Sequence, residues 1–169
     1  MSSKTDELSS RNYPIQEDMV LQSRIWKTER IGWAILIGMI LVTFTGLFST
    51  GPLSTVVAQT AAGDMQVQYQ RFERHGASTE IKINARAGQD GQVWLTLDGD
   101  ILESFMVENI QPEPVSSESF GRGLRLRFQP DPEGRATAYF SLRPSGLGLT
   151  KSVAHANGQH IELTQFIYP

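Results

Sequence analysis

Apolar residues follow two different rhythms along this chain. From Ile31 to Phe48 (IGWAILIGMILVTFTGLF) no charged residue occurs, and only Thr43 and Thr45 carry hydroxyls. Crossing a hydrocarbon core of roughly 30 Å takes about 17–25 mostly apolar helical residues. A helix is the natural state there because it satisfies its backbone N–H and C=O groups internally. The stretch therefore predicts a single N-terminal transmembrane helix, able to run on toward Leu53 if Pro52 is tolerated near the interface. A buried helix of a soluble protein is the competing reading, but the strand-like sequence that follows is poorly suited to wrapping such a helix on every side.

From Asp64 onward the period changes to two. Met65, Val67 and Tyr69 alternate with glutamines, and Ile81, Ile83 and Ala85 with Lys82, Asn84 and Arg86. Val93, Leu95 and Leu97 share a face opposite Trp94 and Thr96; Ile101 to Ile110 is less regular. Leu124, Leu126 and Phe128 follow, then Ala136 to Leu142, Lys151 to Ala156 and Ile161 to Tyr168. Asp90-Gly91, Asp98-Gly99 and Asn157-Gly158 suit hairpin turns with positive φ, and the segment from Pro130 to Gly134 separates two further strands. Seven or eight short strands predict a mainly β fold, an antiparallel Ig-like β-sandwich with one wet and one buried face per sheet. No Cys pair or core-Trp spacing ties it to antibody domains.

The chain then divides into a disordered cytoplasmic tail (1–14), a juxtamembrane helix and anchor (15–53), a linker (54–63) and a periplasmic β-sandwich (64–169). Arg24, Lys27 and Arg30 precede the span and no Lys or Arg follows it until Arg71. The positive-inside bias thus places the N-terminus in the cytoplasm and the sandwich outside. Trp26 and Trp33 suit the membrane interface beside those cations. Ala34 and Gly38 form a small-xxx-small pair that would let another helix approach closely. An alternative is a removable signal peptide cut after Ala58, in Val56-Val57-Ala58; the long preceding segment and long apolar run favour a retained anchor.

Charge and composition add mainly exclusions. A net charge of −3, and 10 Lys/Arg against 13 Asp/Glu from Asp64 onward, give no reason to expect nucleic acid. Without cysteine the exported domain has no disulfides and no lipidation site. His75, His155 and His160 could contribute to a metal site, yet HExxH and His-x-His are missing, and His155 and His160 read as hairpin residues flanking Asn157-Gly158. Asp98, Asp100 and Glu103 invite a calcium reading, but EF-hand spacing is absent and a turn explains Asp98-Gly99. Ser145 has no nucleophile elbow, and no phosphate loop occurs. No catalytic residue, metal ligand or cofactor is expected. Arg122, Arg125 and Arg127, with Arg135 and Arg143 on neighbouring strands, form a candidate face for an anion or a partner; solvation of a sheet's wet side is the plainer account.

Several local patterns occur in one order: Trp26, Arg30, Gly32 and Trp33 at the membrane entry, Gly51-Pro52-Leu53 at the exit, Tyr69 and Phe72 in the first strand, and a terminal Gln-Phe-Ile-Tyr-Pro. In this the chain resembles a group of small uncharacterised bacterial inner-membrane proteins over most of residues 24 to 169. The resemblance implies a single anchor with a periplasmic sandwich and carries no catalytic or binding residue. Copper-delivery and oxidase-assembly proteins share the outline, but their Cys, Met and His ligand motifs are missing. The expected function is a non-catalytic interaction module, an accessory subunit beside another inner-membrane protein; the alternative is a binding or sensing domain for an anionic glycan or lipid headgroup. The expected partners are the bilayer and an inner-membrane protein.

Overall fold

The computed structural model of the protein describes residues 19–44, 51 and 53–169. They fall into two compact units that divide between Leu41 and Val42. The predicted tail, the start of the juxtamembrane helix and the 45–48 end of the predicted span lie outside the described residues.

α1 runs from Met19 to Phe44, with all but its last three residues in the first unit. Its N-terminal half carries Arg24, Lys27 and Arg30, and the Arg30 guanidinium lies 3.5 Å from the centre of the Trp26 ring. From Ile31 the helix is apolar on every side and exposed, with Trp33, Ile35, Met39, Leu41 and Phe44 all at least 60% accessible. Ala34 is exposed, and a side chain added at Gly32 or Gly38 would meet nothing within 4 Å. Among the described residues no helix is long and apolar enough to cross a membrane. The apolar part described here, Ile31 to Phe44, spans about 21 Å at 1.5 Å per residue, short of the ~30 Å of a hydrocarbon core.

The second unit is a sandwich of two sheets. One has the order β1 (Thr55–Gln59), β2 (Met65–Gln70), β4 (Thr79–Arg86), β9 (Arg135–Pro144), β6 (Phe105–Gln111). The other has the order β3 (Phe72–Arg74), β11 (Gln159–Tyr168), β10 (Gly148–Ala156), β5 (Val93–Gly99), β8 (Gly123–Phe128), β7 (Ser116–Phe120). Strict alternation turns every second side chain inward. Val67, Ile83, Ala138, Phe140 and Leu142 from the five-stranded sheet meet Val93, Leu95, Leu126, Phe128 and Leu163 from the six-stranded one, all within one buried cluster.

The sandwich departs from the sequence expectation in several places. The described residues hold eleven strands rather than seven or eight. The 54–63 stretch is not a plain linker: Thr55–Gln59 pairs with β2 from Thr55↔Gln70 to Gln59↔Gln66, and Ser54 is fully buried with its hydroxyl bridging the Phe72 backbone. The ladders are not purely antiparallel, since β3 pairs with β11 in parallel. Ile101 to Ile110 is not one strand, because Ile101–Ser104 forms α2, the short corner that carries the chain from β5 in one sheet to β6 in the other.

Of the three expected hairpin turns, only Asn157-Gly158 closes a hairpin between paired strands, β10 and β11, with φ of 51° and 76°. Asp90-Gly91 instead lies in the crossover between sheets. Gly99 ends β5 where a Cβ would stand 2.7 Å from the Lys151 carbonyl oxygen, so glycine there admits the backbone of β10.

Candidate binding face

The outer face of the six-stranded sheet gathers most of the chemically capable side chains. Inward residues of β5 and β8 are apolar, so Trp94, Thr96 and Asp98 and then Arg125 and Arg127 necessarily point out. Register lines up His160, His155, Thr96, Arg125 and Glu118 across five strands. The two imidazole centroids are 5.9 Å apart. The next row places Trp94 beside Arg127 and Ser116.

Trp94 is the fixed point of this face. Its indole N–H donates to Asp90 Oδ2 at 3.0 Å, and Asp90 Oδ1 accepts the Gln92 backbone N–H at 3.1 Å. The Gln92 amide and then the Trp94 indole hold the Asp90 carboxyl below its usual pKa, so it stays ionised as their acceptor. The Arg125 guanidinium lies 4.5 Å from the Trp94 ring centre and 5.9 Å from that of Phe120, while Arg127 lies 5.7 Å from Trp94. Cation–π contacts of this kind favour a desolvated guanidinium over an aromatic face. Arg125 also pairs with Glu118 at 3.5 Å. Around these groups, with His155, Asn157 and the loop at Gln89, runs an open groove of about 720 Å³.

The five arginines do not make one face. Arg135 and Arg143 lie on β9 in the other sheet, because the loop from Pro130 to Gly134 crosses between sheets. Arg143 is engaged by Glu108, whose carboxyl it holds below the ordinary range. Arg122 belongs to the turn after β7 and reaches Asp100 and Glu103, each at 3.4 Å. The calcium-like cluster therefore has Arg122 as its cation. Asp98 in turn accepts the backbone N–H groups of Gly99 and Arg122. Among the described residues no group of three His, Asp or Glu side chains is placed to hold a metal ion. Ser145 binds Ser104 through its backbone N–H, beside α2.

One functional-grade group escapes the sequence reading. Glu73, on β3, turns inward and is 5% exposed. Thr79 donates to its Oε1 at 2.7 Å and Gln165, itself buried, donates at 3.3 Å. Loss of hydration raises the Glu73 pKa to about 7, with the two hydrogen bonds opposing that rise. A recess of about 590 Å³, lined also by Arg74, Lys82 and Tyr168, opens beside it. A three-residue strand with one carboxylate gives no periodic signal, so only the fold shows that this glutamate is buried.

No family model matches the chain, and no curated protein matches it. A similar solved structure is the cohesin module from Clostridium perfringens ATCC13124 family 33 glycoside hydrolase. The two share a TM-score of 0.44 and 10% identity, over 67% of this chain and 97% of that one.

Proposed function

We propose that the chain is a membrane-anchored, non-catalytic interaction module, with a cytoplasmic N-terminus and an exported sandwich that serves as an accessory subunit of an inner-membrane protein. The observation that carries this reading is α1, whose residues from Ile31 to Phe44 are uncharged, nearly all apolar and largely exposed. A helix that is hydrophobic all round belongs in a core or a bilayer. The basic and aromatic group Arg24, Trp26, Lys27, Arg30 and Trp33 at its start suits an interface with anionic headgroups. In sequence the uncharged run continues through residues 45–48 to 18 residues, within the range of about 17–25 that a span takes. Ala34 and Gly38 offer a face where a partner helix could approach closely. Cross-linking intact cells and recovering the chain through an N-terminal tag tests it. One stoichiometric inner-membrane partner is expected; recovery of the chain alone in mild detergent would remove the accessory role.

A second reading rests on the groove beside Trp94. Its arginine, histidine and aromatic side chains match an acidic saccharide or a headgroup phosphate. Retained binding to such ligands after Trp94→Ala with Arg125→Ala would eliminate it.

A further inference from the structure

A different part of the six-stranded sheet carries an apolar patch. Phe72, Phe166 and Leu149 are consecutive cross-strand neighbours on β3, β11 and β10, and all three point outward. Leu149 is 61% exposed, Phe166 43%, and Leu147 just before β10 63%. Large apolar residues side by side on a wet face mark a contact surface more often than scattered ones do.

Two further observations say what covers it. The first is position. Ser54 hydrogen-bonds the Phe72 backbone, and the Phe166 N–H donates to Arg71 O. The patch thus adjoins the point at which the chain, having left α1, enters the sandwich, and Leu53, 53% exposed, precedes that entry. The second is charge. Most other arginines of the sandwich meet a carboxylate, as Arg86, Arg122, Arg125 and Arg143 do, or a ring, as Arg127 does. Arg71, Arg74 and Lys151, which border the patch, are exposed, and no ion pair or ring contact holds them among the described residues. Apolar side chains ringed by uncommitted cations are the composition that seats on an anionic bilayer surface.

We infer that this corner of the sandwich docks on the headgroup region of the membrane through Leu147, Leu149, Phe72 and Phe166, with Arg71, Arg74 and Lys151 against anionic lipid phosphates. The inference rests on the anchor reading for its geometry and is separable from it by experiment. The chain has no cysteine, so single cysteines at exposed positions take a spin label uniquely. The full chain carrying Leu149→Cys, Ile40→Cys or, on the same sheet but away from the patch, Glu162→Cys is reconstituted in vesicles of phosphatidylcholine with and without phosphatidylglycerol. Accessibility to oxygen and to a water-soluble nickel chelate is then read for each label.

The expected result is a severalfold higher oxygen-to-nickel ratio at position 149 than at 162 in the anionic vesicles. That ratio falls toward the value at 162 in pure phosphatidylcholine and after Arg71→Glu with Lys151→Glu. A lipid-exposed label at 40 with a water-exposed label at 149 overturns the docking face and leaves the anchor. Labels at 40 and 149 both in water overturn the two together. A label at 149 in lipid with 40 in water keeps the face and overturns the anchor. Spin–spin broadening at 149 at high protein density, without an oxygen preference, assigns the patch to a second copy of the chain and overturns the lipid proposal.

Discussion

Glu73 is the residue whose chemistry differs most from its exposed form, and its behaviour with pH follows from burial. Its carboxyl titrates near 4.5 when hydrated and near 7 in the fold, because desolvation outweighs the bonds from Thr79 and Gln165. The folded state therefore binds this proton more tightly than the unfolded chain does. The stability associated with the protonated acid is fully present below pH 4.5 and is lost as pH rises through 7. A shift of this size corresponds to about 3 kcal/mol. Glu73→Gln keeps an oxygen for both donors and removes the titration. Urea unfolding at pH 5 and pH 8 is expected to show the native chain losing stability over that interval relative to the Gln variant. Parallel pH profiles for the two would mean that Glu73 is as well solvated as an ordinary glutamate. The same group shows the limit of reading residues alone: alternation on β8 put Arg125 and Arg127 on one wet face correctly, but the burial of a glutamate on a three-residue strand is fixed by the sheets around it.

At the scale of elements, strands with an apolar inner face and a polar outer one were readable because period two leaves a mark. Met65 to Tyr69, Ile81 to Arg86, Leu124 to Phe128 and Ile161 to Ile167 are cases. Three strands leave no such mark. Ser116–Phe120 has no buried residue, Phe72–Arg74 is too short for a period, and Thr55–Gln59 breaks the alternation with consecutive Val56 and Val57 inside a stretch of mostly small and polar residues. Asp-Gly dipeptides signalled turns, but not whether the chain returns to the same sheet or crosses to the other. Recognition of β1 bears on processing. Cleavage after Ala58 would remove Thr55 to Ala58 from their ladder with β2, take Val56 and Ala58 off the core and leave β2 as a bare edge. Val56 is half-buried, so its loss alone costs about 1 kcal/mol, half the value of full burial. The mass of the protein extracted from membranes is expected to match the uncut chain. A mature N-terminus at Gln59 would show that the sandwich tolerates the loss and that the apolar segment is a signal peptide.

At the scale of the whole chain, the proposed arrangement depends on an asymmetry of charge about one apolar segment. Three cations lie within the seven residues from Arg24 to Arg30, and the next cation in sequence is Arg71, inside the sandwich. Cations flanking a span resist translocation, while acidic residues contribute little to orientation. Alkaline phosphatase fused after Pro169 reports the side reached, because its disulfides form only in an oxidising compartment. The native fusion is expected to be active. Replacing Arg24, Lys27 and Arg30 together by Glu while introducing Lys at Thr50, Ser54 and Thr60 reverses the asymmetry and is expected to lower that activity severalfold at equal expression. Ser54 is buried against Phe72, so Lys at positions 50 and 60 alone serves as the companion variant that leaves β1 anchored. Full activity in both variants would show that something other than the flanking cations orients the chain, and an inactive native fusion would put the sandwich on the cytoplasmic side. In that second case the accessory role would have to be sought among cytoplasmic faces of membrane proteins, and Arg71, Arg74 and Lys151, which no ion pair holds among the described residues, would then face the inner leaflet, where anionic lipid attracts such clusters.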